Sequence, residues 1–280
     1  MKNSRLISAM AILLAVSLLF IPKSHAATKV DETRSVDAGA QISIDVLAGN
    51  VTITAWDKNE VHVTGTLDPK AEGLEIDGDE SDMSFKVEYP DNNRHLDGST
   101  LEFMVPKGCE LEVQGVSTDF DISRVEGSLD IATVSGDIQL DCNSKDVELG
   151  CVSGDVKVRG VQESLEISIV SGDAKVTAGT LKKLEFSSVS GDFELEADAA
   201  KHASWEISCH SGAAHLLVPS NIDAEFDIST FSGDIDNAFG QQAERTSKFA
   251  PGKELNFTNG NGSARIEISV FSGEVKLEKK

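Results

Sequence analysis

Four aspartates, Asp137, Asp155, Asp173 and Asp192, recur at intervals of 18, 18 and 19 residues, each closing a Val-Ser-Gly-Asp run. If one interval makes one coil of chain, their carboxylates stand in register about 5 Å apart and repel by roughly 0.8 kcal/mol per neighbouring pair in water. Something must offset that repulsion. Each Asp is expected to cap its own corner by bonding local backbone N–H groups, as in Asx turns, leaving an exposed corner ladder as the candidate binding row. The alternative is a calcium ladder built on hard oxygen ligands. Such a ladder would differ in period from the glycine-rich nonapeptide calcium repeat, and the doubled glycines are missing. No other cofactor is implied.

Cys109, Cys142, Cys151 and Cys209 permit three disulfide connectivities. Cys151 and Cys209 both stand two residues before a corner serine but three coils apart, near 14 Å at the strand spacing. A disulfide needs Cα atoms within about 7 Å, so these two are not expected to bond. Cys142 with Cys151 could clip one coil, and buried free thiols are the competing reading. His202, His210 and His215 gather near Cys209, but adjacent Cys209 and His210 would face opposite sides of a strand, and no CxxC or HExxH accompanies them. His210 is expected to end a surface row of Val and Phe rather than to hold zinc. No Gly-x-Ser-x-Gly or P-loop is present, and the evenly spread Asp residues do not form the paired carboxylates of a glycosidase cleft. No catalytic residue is assigned.

The element that must position these residues is a repeat. The corners are Val116-Ser117-Thr118-Asp119, Val134-Ser135-Gly136-Asp137, Val152-Ser153-Gly154-Asp155, Val170-Ser171-Gly172-Asp173, Val189-Ser190-Gly191-Asp192, His210-Ser211-Gly212-Ala213, Phe231-Ser232-Gly233-Asp234 and Phe271-Ser272-Gly273-Glu274. Serine-to-serine spacings are 18, 18, 18, 19, 21, 21 and 40, the last about two periods, which predicts a coil that has lost its corner or become a loop. Positions six and four before the serine are apolar in all eight copies, as in Leu129 and Ile131 or Leu165 and Ile167. Positions three and five after it are apolar too, as in Ile138 and Leu140, except at Asn237. Each unit therefore reads as two short alternating strands joined at the corner. One unit cannot bury its apolar side alone, whereas stacked units enclose a continuous core. The fold class expected is all-β: a single-stranded parallel β-solenoid, right-handed β-helix-like, with an irregular N-terminal β region.

Lys2 and Arg5 precede an apolar run over residues 6–21, and Ser24-His25-Ala26 supplies a small-x-small cleavage signal. Residues 1–26 are expected to be a signal peptide removed near Ala26, with no membrane-spanning segment after it and a periplasmic or secreted product. An N-terminal β region then covers 27–105 and the repeat region 106–280, continuous with it. Ile42, Ile44, Ala48-Gly49-Asn50, Val51 and Ile53 reproduce the columns as an early coil, with Ala in the serine place. Between residues 60 and 106 the corner vanishes and partly antiparallel strands are expected. Helix is nearly absent, with 198–204 and 240–247 as the only short candidates. The whole chain carries 47 acidic against 25 basic residues, a net charge of −22. A surface of that sign repels nucleic acid.

The exported start, the Ile44-to-Ile53 turn leading into Ala55-Trp56-Asp57-Lys58-Asn59-Glu60-Val61, and the iterated Val-Ser-Gly-Asp-Ile corner together resemble the bacterial β-strand-repeat family named "putative adhesins", a domain of unknown function. The resemblance runs from about residue 30 to the C-terminus. It implies a right-handed β-helix-like rod at the cell envelope and transfers no catalytic residues. The function expected is a non-enzymatic envelope or adhesin-like protein presenting an extended acidic surface to an envelope or host protein or a glycan. The alternatives are a carbohydrate-active β-helix enzyme and a periplasmic envelope-stress or scaffold component.

Overall fold

The computed structural model describes residues 28–91, 95–247 and 251–280. The expected signal peptide lies outside the described residues. Alternation along a strand sends every second side chain to one face, and the apolar columns use it. Leu111, Leu129, Val147, Leu165, Leu184 and Trp205 follow one another as partners in parallel ladders. Ile131, Leu149 and Ile167 are direct neighbours and are at most 1% exposed. Beyond the corner, Phe120, Ile138, Val156, Ala174 and Phe193 form a second buried row. A turn of the solenoid is thus a first strand such as Leu129–Ser135, a corner, and a second strand such as Ile138–Asp141. The architecture is an all-β solenoid with one core enclosed between the two strand rows.

The corner glycine is dictated by two constraints at once. Gly172 has φ of 141°, and a Cβ there would lie 2.0 Å from the Gly154 carbonyl oxygen of the preceding turn. A side chain is excluded by backbone conformation and by the close approach of successive turns.

Antiparallel strands cover both rows of the parallel stack at its N-terminal end and the first-strand row at its C-terminal end. Gln41–Trp56 forms a full turn against Glu110–Ser123, with Ala48 opposite Ser117. On its other side the next turn comes in two pieces, Asp82–Glu88 along the first half and Ser99–Pro106 along the second. Gly73–Gly78 and Glu60–Thr66 run antiparallel to those pieces, and Lys29–Ser35 lies antiparallel to Glu60–Thr66. These reversals end the stack with short, polar edges, a common defence against edge-to-edge association.

At the C-terminal end the order in space departs from the order in sequence. Trp205 pairs with Ile266, and Ile266 pairs in turn with Phe226. The Ser272 turn, last in the chain, is therefore inserted between the Ser211 and Ser232 turns, and its second strand, Val275–Lys279, is likewise flanked by Ala214–Val218 and Ile235–Asn237. The long gap after Ser232 holds Lys253–Asn259, which returns antiparallel to Ala224–Ser232 on its outer side. Crossing back over that strand is a loop gathered by the Asp223 carboxylate, which accepts hydrogen bonds from the backbone amides of Asn261 at 2.5 Å and Gly262 at 2.8 Å.

Neither short helix forms. Residues 198–204 belong to the continuous strand Phe193–Ser211, where parallel pairing of Asp198 with Thr180 and of Ala199 with Leu181 overrides local helix preference. Residues 240–247 make turns around a two-residue strand, Glu244–Arg245, held by Lys253 and Glu254. The four cysteines are free and buried. Cys151 faces Thr133 and Ile169, and Cys209 faces Ser188 and Val270, which sets the two cysteines three turns apart and leaves no partner thiol alongside either.

Candidate binding surface

The corner ladder is a chain of backbone caps that runs from turn to turn. Asp119 Oδ1 accepts the Asp137 backbone N–H at 2.9 Å, Asp137 accepts that of Asp155 at 2.9 Å, and Asp155 accepts that of Asp173 at 3.1 Å. Asp173 accepts the Asp192 amide at 2.8 Å, and Asp192 accepts the Ala213 amide at 2.8 Å. The sequence reading had each Asp capping its own corner; the structure has it capping the next one. The reason is the close stacking of the bends, which brings the following turn's amide nearer than any local one. A charge-assisted hydrogen bond to each carboxylate offsets the repulsion along the row. All four candidate residues remain exposed, and one oxygen of each takes no part in these bonds.

A second surface lies on the outer face of the first strands, and the sequence reading missed it. Five residues before the corner serine stand Glu112, Asp130, Glu148, Glu166, Glu185, Glu206, Glu267 and Asp227, in that spatial order, each paired with the next. Lys183 reaches Glu166 at 3.2 Å and Glu185 at 3.3 Å, and Arg265 pairs with Glu267. The Asp130 carboxyl is pushed above the usual range by burial and by the neighbouring Glu112 charge. Three residues before the serine the row begins at Gln114 and is small from there on, including Ala132, Gly150, Ser168, Ser187, Ser208 and Ser269. One residue before it stand Val116, Val134, Val152, Val170, Val189, Phe271 and Phe231, between 45% and 54% exposed. His210 occupies the same row and does not end it: its ring stacks on Phe271 at 4.8 Å, and Phe271 stacks on Phe231 at 4.7 Å. The signal was present in the alternation, since odd offsets from the buried columns must face outward.

The remaining candidates are dispersed. Cys209 points into the core while His210 lies outside on the same strand, and His215 on the second strand bonds Glu278 at 2.6 Å. Among the described residues no cluster of three or more His, Cys, Asp or Glu side chains is arranged to hold a metal ion. No helix among them is long and apolar enough to cross a membrane.

Over residues 40–278, nearly the whole stack just described, the sequence matches the family described as Toastrack DUF4097. The chain belongs to that family. This Toastrack chain has no match among curated proteins. Its fold is shared with a "putative lipid binding protein" from Parabacteroides distasonis at 15% identity, covering 88% of this chain and 96% of that one, with a TM-score of 0.52. A "putative adhesin" from Bacteroides fragilis is 13% identical over 89% of this chain and 97% of that one, with a TM-score of 0.39. At 15% identity the likeness of this Toastrack chain to the Parabacteroides distasonis structure is one of fold.

Proposed function

We propose that this Toastrack chain is an exported, non-enzymatic envelope protein that binds a protein or glycan along its repeated outer surface. The observation that supports this most directly is the in-register exposure of identical chemical groups over successive turns. The Asp137, Asp155, Asp173 and Asp192 row on the corner and the carboxylate row on the first strands extend along the same solenoid. Stacked repeats offer long surfaces of this kind to extended partners, and the acidic rows repel nucleic acid and favour cationic ligands. The chemistry at hand is recognition, because the carboxylates are spread evenly instead of being paired across a cleft.

A pull-down from intact envelopes with the mature chain tests the reading. Recovery of a partner whose capture falls when the corner Asp row is changed to Asn supports it. Turnover of a polysaccharide that an Asp-to-Asn change abolishes would replace it with the enzyme alternative.

A further inference from the structure

Three rows on one outer face combine in a way that neither the core nor the corner requires. The acidic row and the apolar row stand four residues apart along each strand, about 13 Å, with the small row midway between them. The small row forms the floor of a shallow trough, and its walls are carboxylates on one side and Val or Phe on the other. Between Ser187, Ser208 and Ser269 on the floor and Val189, His210 and Phe271 on the wall the trough deepens into a depression of about 240 Å³. The walls run over eight turns, which is about 34 Å at the strand spacing, and the floor is small in seven of them, with Gln114 in the first.

The geometry points to a cationic amphipathic helix of about 22 residues as the occupant of this trough, with its apolar stripe against the Val and Phe wall and its Lys or Arg residues on the carboxylates. An α-helix is about 10–12 Å across and rises 1.5 Å per residue, so it fits the width between the walls and the length of eight turns. Near-half exposure of seven large apolar side chains in one row, interrupted only by the His210 ring stacked on Phe271, is what an interaction surface shows. The sign of the partner follows from charge complementarity. The row is bordered on one side by Glu112 through Asp227 and on the other by the corner Asp ladder, and only a basic partner satisfies both borders.

Other occupants fit less well. A second copy would have to use an apolar row one side chain wide, roughly 600 Å², short of the ~800 Å² per partner of a stable interface. Widening that contact in either direction sets carboxylates against carboxylates. An anionic lipid surface meets the same repulsion from a chain of net charge −22. This inference rests on the binding reading above and narrows its partner.

The test uses the mature chain and a labelled 22-residue Leu/Lys amphipathic helical peptide, alongside a Leu/Glu peptide of the same pattern and phosphatidylglycerol vesicles. The Lys peptide is expected to bind at least tenfold more tightly than the Glu peptide, and to weaken as salt rises. The side-chain carboxylates of Glu148, Glu206 and Asp227 accept no hydrogen bond within the described structure, so the triple variant Glu148→Gln, Glu206→Gln, Asp227→Asn should fold and lose tenfold or more in affinity. Phe231→Ser with Phe271→Ser should lose as much. A charge-matched variant on the second-strand face, Asp121→Asn, Asp141→Asn, Glu196→Gln, should change affinity less than twofold. Melting temperatures confirm that each variant is folded. Equal binding of both peptides, preference for the vesicles, or equal losses in the two charge variants would overturn the inference. Capture of a neutral glycan from envelopes by a chain that ignores the Lys peptide would also overturn it while leaving the broader reading intact. Binding of the Lys peptide in the trough without any envelope partner would do the reverse.

Discussion

Asp155 Oδ1 accepts the backbone N–H of Asp173 at 3.1 Å, one turn further along the solenoid. Asp155→Ala strips that amide of its acceptor and is expected to cost about 1 kcal/mol. Asp155→Asn should cost less, because the amide oxygen still accepts while repulsion along the row falls. Denaturant midpoints compare the two, and faster amide exchange at Asp173 in the alanine variant alone would locate the effect.

Calcium titrated into chelator-treated protein is expected to give neither heat nor a change in melting temperature. Calcium takes six to eight oxygens, whereas each ladder carboxylate already commits one oxygen to a neighbouring amide. A melting shift that disappears in Asp155→Asn would restore the cation ladder, since a ligand that binds only the folded state must stabilise it.

Gly154→Ala should destabilise by about 2–4 kcal/mol. The residue sits at φ of 151°, and an added Cβ would lie 2.1 Å from the Gly136 carbonyl oxygen. Gly179 has open space around it and an ordinary φ, so Gly179→Ala is the control, and equal losses at the two sites would contradict the stacking argument.

The thiols should be silent in the native protein and react fully once it is unfolded. Burial pushes the Cys109 thiol up to about 12, and burial together with the Asp192 charge pushes Cys209 up to about 11. Thiolate is the reactive form, so an aromatic disulfide reagent is expected to register four thiols in denaturant and almost none without it. Prompt reaction of any one in the folded chain would show that its surroundings are open.

Two aspartates should respond to pH in opposite directions. Asp223 is held below the usual range by the amide of Asn261, with Ser263 and Gly262 adding to it. Its contribution is present above the unfolded value and is lost as pH falls through the lower folded value, so Asp223→Asn should lower the melting temperature at pH 7 and matter little in strong acid. Asp130 is raised by burial and by Glu112, so its ionisation destabilises the fold at pH 7. Asp130→Asn should raise the melting temperature there, with the gain vanishing below the unfolded carboxyl range. Parallel shifts for the two variants would refute one of the assignments.

The columns were readable because burial repeats with the corner. Ile131, Leu149 and Ile167 share an offset from serine, and identical offsets become neighbouring positions once turns stack. The exposure of Val134 and Val152 was equally encoded, since an odd offset from Ile131 or Leu149 must face away from the core, but an apolar residue beside a bend invites a packing interpretation. Chain order in space was not readable for the last turns. Phe226 and Ile266 carry the same column signature, so nothing local states which of them lies beside Trp205. The choice is made by the crossing loop at Asp223, whose glycines and capping amides act only after distant strands have met. Residues 198–204 misled for a related reason: Ala and Lys favour helix locally, and the ladder to Thr180 and Leu181 decides otherwise.

Because the final strand pair wedges between two turns that precede it, the molecule cannot be completed by simple elongation. A nascent chain can lay down its earlier coils in the order of synthesis, but the distal end stays unsealed until residues 264–279 emerge and are threaded into the seam.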